Sequence, residues 1–227
     1  RRQRQMCIRD SSNYHLAFSN PHFRTAIFNT LLYAFGTATC VALMTTGGAW
    51  MSARRLRGSL LLEQLTSAPL AFPAIVLGVA FMQTFLNMPI AIYGTLISLV
   101  IASTVQYLPY GMRFSHSAAM QIHRELEEAG SISGATRFQI FTRIVLPLLM
   151  PVVLMSWLFI VLLCVRGVAL PILLAGPNSQ VVSVMLYDLW VNGQVNELAA
   201  FGILWSALMI GLGVCLYLLS RKTGVKL

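Results

Sequence analysis

The feature that most constrains this chain is a set of long stretches without any charged side chain. They lie between Arg24 and Arg54, between Glu63 and Arg113, between Arg143 and Arg166, and between Glu197 and Arg221. A helix needs about 20 mostly apolar residues to cross a bilayer. The second stretch, 49 residues long with a turn signal at Asn87–Pro89, has room for two such helices. The pattern predicts an all-α integral membrane protein with about five spanning helices, near residues 25–50, 66–86, 92–112, 146–166 and 199–220.

Composition also indicates lipid as the surrounding medium. Only 10% of the residues are charged, against about a quarter in an ordinary soluble domain, which disfavours the alternative of a soluble helical core. The formal charge of +9 could indicate nucleic acid as a partner. The basic residues occur instead as short clusters at span ends, which is typical of topology signals, so no nucleic-acid partner is expected.

The basic residues predict the orientation, because they concentrate in cytoplasmic loops. Ten of the sixteen Lys and Arg residues follow the first, third and fifth predicted spans, which predicts that those regions and the C-terminus lie in the cytoplasm. The uncharged stretch from Gly167 to Tyr187 is interrupted by Pro171 and by Gly176–Ser179. We therefore predict a re-entrant or surface segment on the outer side in place of a sixth span.

The first eleven residues, R-R-Q-R-Q-M-C-I-R-D-S, fit neither the apolar core of a signal peptide nor a span. The run M-C-I-R-D-S resembles a translated sequencing-adapter scar, which gives the hypothesis that residues 1–11 are not native. A basic cytoplasmic tail is the alternative. Under the hypothesis, residues 12–227 form one transmembrane domain that is truncated at its N-terminus, and any earlier span is missing.

The longest polar interval, from about residue 116 to 143, separates the third and fourth predicted spans. Apolar residues recur there every three or four positions, at Ile122, Leu126, Ala129, Ile132, Ala135, Phe138 and Phe141. This spacing predicts an amphipathic cytoplasmic helical element suited to another protein's groove. An interfacial helix on lipid headgroups is the alternative, but the clustered Glu125, Glu127 and Glu128 disfavour it because the inner leaflet is anionic.

Within this interval, the run E-A-G-S-I-S-G-A-T-R-F-Q-I-F-T-R-I-V-L-P resembles the EAA loop of permeases in binding-protein-dependent ABC importers. The residues that fit the family spacing are Glu128, Ala129, Gly134, Ile144, Leu146 and Pro147. Gly130 departs from the usual second alanine and costs about 1 kcal/mol of helix propensity. The resemblance extends over nearly the whole chain after residue 18. Toward the C-terminus, Ser183 to Ala200 resembles the ferric iron branch, with polyamine, thiamine and phosphonate permeases close by.

The resemblance implies a MetI-like permease fold whose loop forms a coupling helix in a cleft of a separate cytoplasmic ATPase. Glu128 would supply a charged anchor, Gly134 a close-approach bend, and Ile144–Pro147 a fixed re-entry into the fourth span. The implied partners are that ATPase, an external substrate-binding protein, a second permease half and membrane lipid. The sequence has no Walker A pattern, G-x-x-x-x-G-K-[ST], so we expect no enzyme activity and no cofactor in this chain, with ATP used by the partner.

Arg166 is a candidate pathway residue, because a charge near lipid is costly and is retained for function by default. Snorkelling to the outer interface is the alternative. In the iron branch a similar arginine is usually followed by glutamate, whereas Gly167 follows here. The four histidines show no metal-ligand spacing, so no metal site is predicted. An ion-coupled secondary transporter or channel is the alternative class, and it would need further ionisable residues inside the spans.

Overall fold

The computed structural model describes residues 21–223, and within that range the chain is helical without a β-strand. The helices in chain order are α1 (Pro21–Ala53), α2 (Ser59–Ser67), a 3-10 turn (Ala68–Ala71), α3 (Ala74–Asn87), α4 (Leu96–Gln121), α5 (Arg124–Ile132), α6 (Arg137–Ile140), a π-helical turn (Phe141–Val145), α7 (Leu146–Arg166), α8 (Pro171–Leu174), α9 (Val182–Val191) and α10 (Val195–Thr223). The expected all-α architecture is confirmed. The scar hypothesis concerns residues 1–11, which lie outside the described residues.

α1, α4 and α7 form the centre of the bundle, and small residues bring their backbones together. A Cβ added to Gly111 of α4 would lie only 2.5 Å from Val41 Cγ1 on α1. The buried hydroxyl of Tyr33 lies 2.7 Å from Ser103 Oγ. Close approach through small residues and hydrogen bonds between helices are the usual means of association where lipid offers no hydrophobic drive.

Among residues 21–223, three helical stretches are long and apolar enough to cross a membrane: His22–Ala53, Arg137–Arg166 and Val195–Val214. The predicted span at 66–86 is not one straight helix, because Ser59–Ala71 and Ala74–Asn87 meet at 106° and count as a fourth crossing only if the bent pair is one span. Pro73 causes the break, since it has no amide hydrogen and forces the preceding residue out of the helical region.

The predicted span at 92–112 corresponds to α4, whose 26 residues would extend about 39 Å. α4 is not among the described helices that are apolar enough to count as a crossing, so three or at most four of the five predicted spans are found by length and composition. α4 is less apolar than the other long helices, since it carries polar residues through its whole length. Three of its hydroxyl residues, Ser98, Ser103 and Ser115, are buried inside the protein. Its position at the centre of the bundle explains these buried hydroxyl groups, because they face other helices.

As the sequence predicted, the stretch from Gly167 to Tyr187 forms no spanning helix. It folds as the short helix α8, an irregular segment and the start of α9. Asn29 Nδ2 donates to the carbonyls of Asn178 and Gln180, each at 3.1 Å, and Ser179 Oγ donates to the Gly94 carbonyl at 2.8 Å. The non-helical backbone is thus held by protein groups, the condition under which it is tolerated at membrane depth.

Polar contacts tie the bent pair to the core at the end of the bundle where α1 ends. Ser52 of α1 donates to Glu63 of α2, and Ser52 Oγ lies 3.0 Å from His116 Nδ1 of α4. A cavity of about 850 Å³ opens beside these residues, with Arg55 and Arg124 on its wall. α2 is therefore fixed to the core by polar side chains.

Candidate coupling site

The predicted amphipathic element at 116–143 is not one continuous helix. α4 extends to Gln121, α5 covers only nine residues, and the chain breaks again before α6 begins at Arg137. Glu125 and Glu127 lie in the first turn of α5, where carboxylates interact favourably with the positive end of the helix dipole. The apolar residues recur at helical spacing, but the series crosses two breaks in the helix. Local backbone chemistry sets these breaks.

Gly134 forms the bend that ends α5. Its φ is +81°, and its amide donates to the Ser131 carbonyl at 3.0 Å while the Ala135 amide donates to the Gly130 carbonyl at 3.1 Å. This pair of bonds is a Schellman motif, which favours glycine at the left-handed position. A Cβ at Gly134 would meet no atom of the described chain within 4 Å. Within this chain, glycine is therefore required by backbone conformation and not by a close approach.

The helix restarts at once through a capping box at Thr136. Thr136 Oγ1 accepts from the Gln139 amide at 3.3 Å, and Gln139 Oε1 accepts from the Thr136 amide at 2.8 Å. The motif satisfies two amides that a helix start leaves unpaired. The T-R-F-Q pattern at 136–139 was visible in the sequence, and it marks this boundary.

A π-helical turn joins α6 to α7 just before Pro147. In a regular α-helix, the proline ring would collide with the carbonyl four residues earlier. The wider turn relieves that crowding, because its hydrogen bonds span five residues in place of four. The re-entry into α7 is thus a continuous but locally widened helix.

Gly130 is the point where α5 packs against the helix that follows. A Cβ there would lie 2.9 Å from Ile144 Cδ1 and 3.3 Å from Ile140 Cγ1. Glycine therefore replaces the usual alanine at a position where α5 lies close to α6 and the π-helical turn. Ile144, a predicted site residue, is half-buried at this contact.

Glu127 anchors α5 to the end of α1, and the sequence analysis did not single it out as a site residue. Arg54 Nη2 lies 2.6 Å from Glu127 Oε1, and Arg54 Nε donates to the same oxygen at 2.7 Å. Arg54 Nη2 also donates to the Ile122 carbonyl at 2.9 Å. Trp50 Nε1 lies 3.3 Å from both Glu127 oxygens. The pair joins residues 73 positions apart, so no local pattern in the sequence could indicate it.

The loop presents a mixed acidic and apolar surface to solvent. Glu128 and Ala129 are exposed, and the side chains of Ile132 and Phe138 are 88% and 75% exposed. Exposed apolar side chains beside an exposed carboxylate make this loop a candidate interaction surface. The structure brings the predicted coupling residues into one loop and the start of its following helix: Glu128, Ala129, Gly134, Ile144, Leu146 and Pro147.

Arg166 lies apart from this group, as the last residue of α7. The 21 residues of α7 separate it from the loop by about 30 Å. Its side chain is exposed. Gly167 packs beneath it, since a Cβ there would lie 3.1 Å from the Tyr107 hydroxyl. In the described range no three His, Cys, Asp or Glu side chains converge as metal ligands would.

The chain matches the family model described as binding-protein-dependent transport system inner membrane component, over residues 44–222. The chain belongs to this permease family. It is 28% identical over 189 residues to the ferric transport system permease protein FbpB of Actinobacillus pleuropneumoniae, a match that covers 82% of this chain and 27% of FbpB. It is 26% identical over 206 residues to the putrescine transport system permease protein PotI of Escherichia coli K12, covering 87% of this chain and 73% of PotI.

Solved structures share the fold of the permease. A chain of the bacterial alginate ABC transporter, in complex with alginate pentasaccharide-bound periplasmic protein, superimposes with a TM-score of 0.76 at 19% identity, covering 94% of this chain and 83% of that one. A chain of the MetNI methionine ABC transporter in an inward-facing conformation gives 0.71 at 16% identity, covering 87% and 94%. The expected MetI-like fold is thereby confirmed. The permease spans only about a quarter of the length of FbpB.

Proposed function

We propose that this permease forms the translocation pathway of a bacterial ABC importer and couples to a separate ATPase through the α5 loop. The observation that carries the proposal is the two-sided character of α5. One side presents Glu128 and Ile132 to solvent, while the other is fixed to the core through Glu127 and Gly130. An amphipathic helix with one free face is suited to a partner's groove.

The position of each loop residue supports the role proposed for it. Glu128 is the charged anchor on the free face, and Gly134 sets the bend that turns the loop back toward the core. Ile144–Pro147 form the re-entry into α7, and Arg166 at the other end of α7 is the candidate pathway residue. Nucleotide chemistry belongs to the ATPase, so the permease is not an enzyme and binds no cofactor.

The proposed assembly contains a cytoplasmic ATPase, an external substrate-binding protein, a second permease half and the surrounding lipid. The family description, an inner membrane component of binding-protein-dependent transport, supports this set. The permease would be a multi-pass protein of the bacterial inner membrane with its C-terminus in the cytoplasm.

Ferric iron is the proposed cargo, supported by the similarity to FbpB. A polyamine is the second candidate, because the match to PotI covers more of this chain and far more of the relative. Import of labelled ferric iron and of labelled putrescine should be compared in vesicles that hold the permease with the binding protein and ATPase of its own gene cluster. Import of putrescine without iron would overturn the iron assignment.

The coupling role is tested by Glu128→Lys, with Glu197→Lys as the matched control. Both glutamates are exposed, but Glu197 lies in the first turn of α10, away from the loop. Glu128→Lys should weaken co-purification with the ATPase and lower import, because a misplaced charge at a specific contact costs several kcal/mol. The control should do neither. Normal ATPase retention and import in Glu128→Lys would contradict the proposal, and import driven by an ion gradient without ATP would place the protein among secondary transporters.

A further inference from the structure

The two adjacent glutamates of α5 lie on different sides of the helix. Successive residues of an α-helix are rotated by about 100°, since 3.6 residues complete a turn. Glu128 is exposed, whereas the side chain of Glu127 is only 15% exposed and its partner Arg54 only 11%. Arg54 and Glu127 thus form an ion pair whose two side chains are both largely shielded from solvent.

Arg54 and Trp50 both contact Glu127, and each of them makes a second interaction. Arg54 Nη2 also donates to the carbonyl of Ile122, in the linker between α4 and α5. Trp50 packs on Phe141 of the π-helical turn, with ring centroids 5.2 Å apart. Arg55 is the left-handed residue that ends α1, with φ of +51°, so Arg54 lies at a defined helix end. The contact thus joins α1 to three parts of the loop: the linker, α5 and the π-helical turn.

We propose that Trp50, Arg54 and Glu127 form a clamp through which displacement of α5 is transmitted to α1. The inference rests on the proposed function, in which α5 is gripped by the ATPase. Without the clamp, α5 would still be joined to α7 through Gly130 and the π-helical turn, but its direct side-chain tie to α1 would be lost. These three are positioning residues, since none of them touches cargo or nucleotide.

The orientation of the guanidinium makes the clamp specific for arginine. Its Nε and Nη2 atoms reach one carboxylate oxygen and one backbone carbonyl at the same time. A lysine ammonium is a point charge and cannot reproduce this fork. Arg54→Lys should therefore keep the attraction to Glu127 while it loses part of the fixed geometry.

Replacing either Glu127 or the adjacent Glu128 with arginine distinguishes the role of the clamp from that of the ATPase contact. Glu127→Arg should keep the ATPase bound, because the free face of α5 is intact. Import should fall by about tenfold or more, a loss that corresponds to ~1.4 kcal/mol, while ATP hydrolysis continues. Glu128→Arg should instead lose the ATPase. The diagnostic quantity is the number of ATP molecules hydrolysed per cargo imported, which should rise in Glu127→Arg only.

Charge reversal provides the decisive control. Arg54→Glu alone should uncouple the importer, and the double variant Arg54→Glu with Glu127→Arg should regain part of the import, because the opposite charges face each other again although the bond to the Ile122 carbonyl is lost. Arg57→Glu makes the same charge change at an exposed position near the clamp and should leave import unchanged. Arg54→Glu should not rescue Glu128→Arg.

The outcomes separate the clamp from the function on which it rests. If the native permease imports cargo and the Arg54 and Glu127 single variants import equally well, the clamp is refuted and the proposed function stands. The clamp is also refuted if the singles lose import together with the ATPase and the double variant restores neither. If the native permease with its ATPase and binding protein imports nothing, the proposed function fails.

Discussion

Replacing Gly134 tests whether the bend after α5 requires glycine because of its left-handed backbone conformation. Its φ of +81° lies in the left-handed region, which costs an alanine about 1–2 kcal/mol. No atom within 4 Å would obstruct the added methyl group, so this backbone term is the whole expected cost within the permease. A loss of this size lowers the population of the bent loop relative to unbent forms by about 5- to 30-fold.

Asparagine enters the left-handed region more easily than alanine, so Gly134→Asn should keep more of the bend than Gly134→Ala. Hydrogen exchange of the α5 and α6 amides should follow the order glycine slowest, asparagine next and alanine fastest, and import should fall in the same order. Gly47→Ala is the matched control, since this helical glycine in α1 also has no atom within 4 Å of an added Cβ.

Native exchange and import in Gly134→Ala would refute the backbone argument. Equal loss of import in both variants with a well-protected loop would refute it too. That result would show that side-chain volume, at the surface offered to the ATPase, decides the residue.

Three further predictions concern helix packing, the segment before α9 and the orientation in the membrane. Gly111→Ala should lower the thermal midpoint in detergent, because its methyl would lie 2.5 Å from Val41 and overpacking costs about 1–3 kcal/mol; an unchanged midpoint would mean that α1 and α4 can separate freely. Asn29→Leu removes two hydrogen bonds to the segment before α9, worth about 1 kcal/mol each, and should increase proteolysis at residues 176–181 relative to the native protein. A cysteine at Lys222 should be labelled by an impermeant reagent only from the cytoplasmic side, and labelling from outside would contradict the proposed orientation.

The sequence predicted the helical class, the non-spanning segment at 167–187 and a helical element between α4 and α7, because these depend on composition and local spacing. It did not predict the 106° break at Pro73, since the angle depends on how α3 packs against α8. It also gave the loop as one helix, because periodicity alone does not register the Schellman motif at Gly134 and the capping box at Thr136. Those two signals are local and could have been recognised.

The contact of Glu127 with the core could not be predicted from the sequence. Both glutamates belong to one short acidic run, and the direction of each depends on the rotation of α5 about its axis. That rotation is set by Gly130, which packs on Ile144, and by Arg54, which lies 73 positions before Glu127. Distant contacts therefore decide which carboxylate remains free.

The short length of α5 explains why these distant contacts matter to the loop as a whole. Isolated helices below about 12–15 residues are marginal in water, and α5 has nine residues, none of them fully buried. Its order must come from the ties at its ends and on its inner side: the Schellman motif at Gly134, the packing of Gly130 and the pair formed by Arg54 and Glu127. The packing of Gly130 leads to the continuous helix that becomes α7, and the pair formed by Arg54 and Glu127 leads to α1, two of the helices at the centre of the bundle. We therefore expect α5 to move with the core, because two of the three ties that keep it folded also attach it.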